Sequence, residues 1–244
     1  MYTVFLSPSN QSANRYAWGD TNEKVQCERI AGYCEIALTR CGVGCVNGSG
    51  MAYGDRISVA HNVNADLYIP IHTNASPKHN ASGTRMFVRS MTETPSIRYC
   101  RTIFGYLDAA CPGTSSNIKT YPSLWEFKQT EDIPAVYAEC DFHDVASVAK
   151  YIVEHAEDIG EAIAHGICDC FGVKWVGKDP QLQVGDLVML RQGATNYTGK
   201  TTFAKWVYRT AMYVRQINGD RVVISICQTG DVTGAVNIKD LTKI

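Results

Sequence analysis

The chain has 244 residues, 45% hydrophobic and 19% charged, with a net charge of −1. That balance supports a folded core and excludes a disordered chain, and no run approaches the ~18 consecutive apolar residues of a membrane helix. At ~150 residues per domain the length suits one large domain, or a large one with a small one, and ten cysteines are too few in such a chain for a disulfide scaffold.

Taken in order, the first eight residues carry neither a basic segment nor an apolar run long enough for a signal peptide. The cysteines are therefore read as reduced thiols of a chain folded in cytosol. Residues 3–7 form a buried strand. Asp20 reads as a helix N-cap with Glu23 three residues on, and the helix runs to Arg40. Its apolar stripe is Cys27, Ile30, Ala31, Cys34, Leu38 and Cys41, at spacings of three and four, and Gly42 ends it. Residues 43–46 give a short strand, 55–63 a helix, 67–71 a buried strand and 85–89 another strand. A helix over 95–111, a strand over 135–138 and one long helix over 145–170 complete the series. Strands alternating with helices predict an α/β fold with a mostly parallel sheet flanked by helices, its site at the carboxyl ends of the strands.

The charge changes sign near residues 174–180. Residues 1–177 hold 14 Lys and Arg against 19 Asp and Glu, and residues 178–244 hold 9 against 5. Two domains of opposite sign are expected, unless the imbalance is only a solvated face. In the tail, the runs 213–217 and 221–226 flank Asn218-Gly219-Asp220, a strong hairpin signal. With strands at 186–190 and 235–238, a small all-β barrel would bury them.

Three polar clusters accompany the strands: Ser7-Pro8-Ser9-Asn10-Gln11, His72-Thr73-Asn74-Ala75 and Glu139-Cys140-Asp141-Phe142-His143-Asp144. Together with Glu23 they could converge, and imidazole with carboxylate suits a zinc ion that keeps one position for water. Plainer readings stand beside this one. Glu23 could complete a capping box with Asp20, and His72 could be a satisfied core histidine. Glu139 and His143 resist a purely structural reading, because a buried carboxylate is costly without a partner. His61 and His79 read as surface residues, and Cys27, Cys34 and Cys41 as small hydrophobes on one helix face.

These clusters, with Gly19-Asp20-Thr21-Asn22-Glu23, Ile69-Pro70-Ile71-His72-Thr73-Asn74 and Pro134-Ala135-Val136-Tyr137-Ala138-Glu139, resemble the zinc-dependent N-acetylmuramoyl-L-alanine amidases of bacterial autolysins and phage endolysins (the amidase_3 family). The resemblance covers residues 1 to about 172. It implies a catalytic domain over 1–175, with Glu23 and His72 as zinc ligands and Glu139 as the catalytic glutamate. The family's further histidine, in a Pro-Gly-His sequence after the first strand, is replaced by Pro8-Ser9-Asn10. His143, in a Phe-His-Asp sequence like that of a Ser-Pro-Ser branch without the first histidine, is the expected third ligand. Asn10 and Gln11 are weak oxygen alternatives, as is Asp141 if it faces the cleft. Asn10, Gln11 and Asn74 are also placed at the substrate.

Residues 181–244 resemble the small SH3-like wall-binding modules appended to such enzymes, with Tyr197, Trp206 and Tyr208 as aromatic contacts, unless Trp206 fills the barrel core. The implied function is hydrolysis of the amide between N-acetylmuramic acid and L-alanine in peptidoglycan, with Zn2+ as cofactor. The implied partners are peptidoglycan and anionic wall polymers, with no nucleic acid and no membrane span. An endolysin made in a bacterial host cytoplasm and acting at the wall after release fits best. A non-catalytic wall-binding protein on a decayed amidase fold, and a zinc peptidase acting within the stem peptide, are the competing readings.

Overall fold

The computed structural model describes residues 2–92, 94–130, 132–178 and 182–244. Asp179 and Pro180 of the expected linker, and Gln181, lie outside them. The chain divides into two compact units, Met1–Gly177 and Lys178–Ile244.

The first unit is built on β1 (Thr3–Pro8), β2 (Gly44–Asn47), β3 (Leu67–Asn74), β4 (Arg85–Val88), β5 (Asn117–Thr120) and β6 (Tyr137–Phe142). They form one sheet in the order β2-β1-β3-β6-β4-β5. β2, β1, β3 and β6 run parallel, whereas β4 is antiparallel to β6 and parallel to β5. The helices are α1 (Glu23–Arg40), α2 (Tyr53–Asn62), α3 (Pro95–Ala110), α4 (Trp125–Gln129), α5 (Ala146–Glu154) and α6 (Ala156–Cys170).

Strand alternation divides the apolar residues between two cores. Val4, Leu6, Leu67, Ile69, Ile71, Ala138 and Cys140 pack with α1, α3 and α6, whose contributions include Ile30, Cys34, Ile103 and Ile163. Phe5, Tyr68 and Tyr137 point the other way, against Ile57 and Ala60 of α2 and Phe127 of α4. Each fully buried Leu, Ile or Phe contributes ~1.5–3 kcal/mol, so both layers are strongly held. The tight approach of α6 to α1 depends on Gly160, where a Cβ would lie 2.7 Å from the Ile30 carbonyl oxygen.

Several expectations change. α1 is capped by Asn22, whose side chain accepts from the Val25 N–H, rather than by Asp20, which is exposed and paired with Arg15. Glu23 is thus the first helical residue, and the capping-box reading fails. The helix expected over 145–170 is two helices, broken at His155. Both β5 and α4 escape the sequence reading, being short and flanked by polar residues. β6 begins later and runs further than the expected strand, so Glu139 lies within it.

The second unit is a five-stranded antiparallel sheet of β7 (Leu187–Leu190), β8 (Met212–Asn218), β9 (Arg221–Ser225), β10 (Gly234–Asn237) and β11 (Leu241–Lys243), in the order β10-β9-β8-β7-β11. The expected hairpin is β8–β9, with Gly219 at φ +59° in its turn. Val188, Met212, Val214, Val222, Ile224 and Val236 fill its core.

Candidate active site

β1 delivers the chain to a loop, residues 9–22, that folds back over the ends of β3 and β6. The loop is pinned by hydrogen bonds from Ser9 N–H to the Ile71 carbonyl (2.9 Å), from Ala17 N–H to the His143 carbonyl (2.9 Å) and from Glu23 N–H to the Asn14 carbonyl (2.9 Å). This brings Glu23, at the start of α1, against His72 of β3. Glu23 Oε1 lies 2.8 Å from His72 Nδ1, and both side chains are buried. Asn14 Nδ2 donates to Glu23 Oε2 at 2.6 Å and to Gln11 Oε1 at 3.0 Å, while Gln11 Nε2 lies 3.3 Å from His72 Nδ1. Burial pushes the Glu23 carboxyl up. Hydrogen bonds from His72, Asn14 and Ser9, with the attraction of the imidazole, outweigh it and leave the carboxyl below its ordinary value.

Glu139 pairs with His72 across the parallel β3–β6 ladder, and Tyr137, two residues before it, stacks on the His72 ring at 4.6 Å. The shared strand face thus carries His72, Tyr137 and Glu139 side by side. Glu139 Oε2 is buried with no hydrogen-bond partner among the described residues. Burial and the negative charge of Glu23 hold this carboxyl well above the ordinary carboxylate range, and the positive charge of Arg85 only partly offsets them. Arg85 is its cross-strand neighbour on β4, with the guanidinium 4.9 Å above the Phe142 ring.

His143 is not brought to this group. Its Nδ1 lies 2.9 Å from Thr73 Oγ1 and 3.0 Å from the Thr73 carbonyl, and its ring stacks on Tyr16 at 5.3 Å. Tyr16 belongs to the core on the α1 side of the sheet and bonds Thr73 through its hydroxyl, whereas His72 stacks on Tyr137 of the opposite core. Adjacent residues of one strand face opposite ways, which separates the two histidines. Asp141 also faces elsewhere: its Oδ1 accepts from the Gly83 and Phe142 N–H groups, both at 2.8 Å, and burial raises its carboxyl to about 6 against the pull of those bonds. Asn10 is exposed, and Asn74 Oδ1 accepts from the Ala75 N–H. His61 and His79, read as surface residues, lie 3.4 Å from Asp132 and 2.8 Å from Asp144 respectively.

No cluster of three His, Cys, Asp or Glu side chains able to hold a metal occurs among the described residues. Two donors do fit zinc: a buried imidazole nitrogen and carboxylate oxygen side by side, with the unpartnered Glu139 oxygen on the same strand face. The fold brings together Glu23, His72 and Glu139, all expected from the sequence, and adds Asn14, Tyr137 and Arg85, which were not. Tyr137 was accessible from its period-two spacing to Glu139. Asn14, inside an irregular loop, carried no signal.

In the second unit, Tyr208 is only 8% exposed. Its hydroxyl donates to the Ala194 carbonyl at 2.6 Å and accepts from the Phe203 N–H at 3.0 Å, which removes it from the expected surface aromatics. Trp206 is 49% exposed, against its reading as a core residue. Tyr197 is exposed too, its hydroxyl donating to Asp220 at 2.6 Å.

The fold is shared with solved amidases. The catalytic domain of CwlV, an N-acetylmuramoyl-L-alanine amidase from Paenibacillus polymyxa, is 20% identical with a TM-score of 0.63, over 71% of this chain and all of that one. An N-acetylmuramoyl-L-alanine amidase from Clostridium difficile 630 is 22% identical with a TM-score of 0.62, covering 71% of this chain and 98% of that one. The catalytic domain of an endolysin targeting Clostridium difficile is 18% identical with a TM-score of 0.54, covering 72% and 98%. Among curated proteins none matches the sequence. The Amidase_3 family, described as N-acetylmuramoyl-L-alanine amidase, matches residues 21–169, more than half of the chain and all the strands that carry His72 and Glu139. The chain belongs to this family of peptidoglycan hydrolases, which cleave the amide between muramic acid and L-alanine.

Proposed function

We propose that the chain performs this cleavage with Glu139 as its proton-transfer group and with zinc held by Glu23 and His72. The carrying observation is the Glu139 Oε2 atom, buried and without a partner beside the Glu23–His72 pair. Zinc, when bound, supplies Lewis-acid polarisation of the carbonyl and an acidified water. Glu139 Oε2 takes the proton of the attacking water as the new C–O bond forms at the lactoyl carbonyl. It then gives a proton to the nitrogen of L-alanine as the C–N bond breaks. Glu23 and His72 would hold the metal side by side, and Tyr137 supports the imidazole ring from one side.

The second unit serves, in this proposal, as an SH3-like wall-binding module. Its excess of nine basic over five acidic residues attracts anionic wall polymers, and exposed Trp206 and Tyr197 offer stacking surfaces. A catalytic and a binding unit in one chain suit an endolysin that meets the wall after release from a host cytoplasm. Digestion of purified peptidoglycan tests the reading: stem peptides with free L-alanine amino termini are expected, without new reducing ends. New amino termini within the stem would instead identify a peptidase. No released amine at any zinc concentration would identify a decayed fold.

A further inference from the structure

The geometry points to a binding site for a primary ammonium group in the cavity beside Asp141, on the face of the sheet turned away from Glu139. The site does not depend on the zinc reading above.

Asp141 lies two residues after Glu139, a spacing that puts both on one face of a regular strand. The ladder is irregular here: His72 pairs with Glu139 but Asn74 with Phe142, so β6 carries one residue more than β3. Such a bulge re-aims side chains. Asp141 is turned towards Val148 and Tyr151 of α5, which pack on the core shared by α1, α3 and α6. With Ser82, Pro112 and Ser147 these residues line a cavity of about 250 Å3, whose rim at Pro112 and Ser147 is exposed.

The walls are built in advance of any ligand. The segments before β4 and after α3 meet at two glycines: a Cβ on Gly83 would lie 2.9 Å from Gly113 Cα, and one on Gly113 would collide with the Ser82 carbonyl. The Ser115 N–H also donates to that carbonyl at 3.0 Å. Inside this frame Asp141 is only 3% exposed. Its Oδ1 accepts from the Gly83 and Phe142 N–H groups, while Oδ2 has no hydrogen-bond partner among the described residues. The Tyr151 hydroxyl is committed to the Ala110 carbonyl at 2.6 Å.

A buried carboxylate oxygen beside a cavity calls for a cation, and the surroundings narrow which one. Mg2+ or Ca2+ needs about six to eight oxygen ligands, more than one carboxylate oxygen and the two serine hydroxyls supply. A guanidinium pairs best with both oxygens of a carboxylate, and Oδ1 is already occupied. An ammonium is a compact charge that a single oxygen suits. The serine hydroxyls offer it further acceptors, and Pro112, Val148 and the Tyr151 ring lie against its aliphatic stem. The volume admits one such side chain rather than a whole peptide. An amine borne on a peptide and a free diamine share this chemistry.

The test is amine binding by the full chain in EDTA at pH 8, followed through the Gly83 and Phe142 amide resonances of isotope-labelled protein, since both N–H groups donate to Asp141. n-Pentylammonium should shift both resonances saturably, and n-pentanol, of the same shape without the charge, should not. In Asp141→Asn the affinity should fall at least ~10-fold, the least that a hydrogen bond to a charged group contributes. Ser147→Phe, at the exposed rim, should close the cavity and weaken binding with the rest of the spectrum unchanged. Nα-acetyl-lysine methylamide and cadaverine separate the two sources: tighter binding of the first assigns a peptide-borne amine, and of the second a free diamine. No saturable shift with n-pentylammonium, equal shifts from n-pentanol, undiminished affinity in Asp141→Asn, or a preference for Mg2+ or Ca2+ over the amine would overturn the proposal.

Discussion

Replacing Glu139 by Gln should abolish turnover while making the metal-free protein more stable, a combination that a structural glutamate would not give. The carboxyl has a buried oxygen with no donor, and it faces the charge of Glu23 with only Arg85 to compensate. Its folded-state pKa therefore lies above that of the unfolded chain, ~4.3 for glutamate. Stability is then fully present below the unfolded value and is lost as pH rises through the raised one, because ionisation is easier in the unfolded chain. Gln keeps the shape and cannot ionise. The relief at alkaline pH should be on the order of 1–3 kcal/mol, because the variant no longer carries a charge in that buried place. In a chain of this size that corresponds to a midpoint ~2–4 °C higher per kcal/mol. Thermal melts of both proteins in EDTA between pH 4 and 9 should coincide at the acid end and diverge above it. Release of L-alanine-terminated peptides should fall by ~10²–10⁴-fold, the usual contribution of a general acid–base group. A variant less stable than wild type at pH 8, or one retaining activity within tenfold, would refute the reasoning.

Asp141→Asn should behave similarly without touching the site: the native carboxyl sits at about 6, so wild type loses about 2–3 kcal/mol relative to the variant as pH climbs from ~4 to above 6, measurable by urea titration at both ends. Gly160→Ala should destabilise by ~1–3 kcal/mol, because the added methyl meets the Ile30 carbonyl and Tyr33 Cβ at 2.7 Å; an unchanged denaturation midpoint would contradict the packing described. Tyr208→Phe should cost ~1 kcal/mol of stability with wall binding intact, and Trp206→Ala should weaken sedimentation with cell walls at unchanged melting temperature; lost wall binding in Tyr208→Phe would restore its expected surface role, and a lowered melting temperature in Trp206→Ala would restore the core reading of that residue.

Much of the layout was legible because local rules decide it. The stripe Cys27, Ile30, Ala31, Cys34 and Leu38 makes α1 and fixes its buried face. Asn218-Gly219-Asp220 makes the β8–β9 turn wherever the second unit lies. The errors came where neighbours compete. Asp20 and Asn22 are both good caps, and the bridge between Arg15 and Asn22 selected the latter. That shift of two positions turned Glu23 from a capping partner into a site residue. Tyr208 left its expected surface place because a three-residue 3-10 turn, Val207–Arg209, directs it inward, while Trp206 stays exposed.

By itself, then, the amino-acid order pointed to two units, to most of the strands and helices, and to Glu23, His72 and Glu139 as candidates that the fold brings together. It could not say which of His143 and Gln11 would lie against His72. They follow β6 and β1, two parallel strands with β3 between them. Only the tertiary structure sets the neighbours of His72: β3 presents His72 to one core and Thr73 to the other, so His143 meets Thr73 and the loop after β1 lays Gln11 against His72. A one-residue alternation along a strand thus chooses the neighbours of a donor whose partner lies 49 positions away.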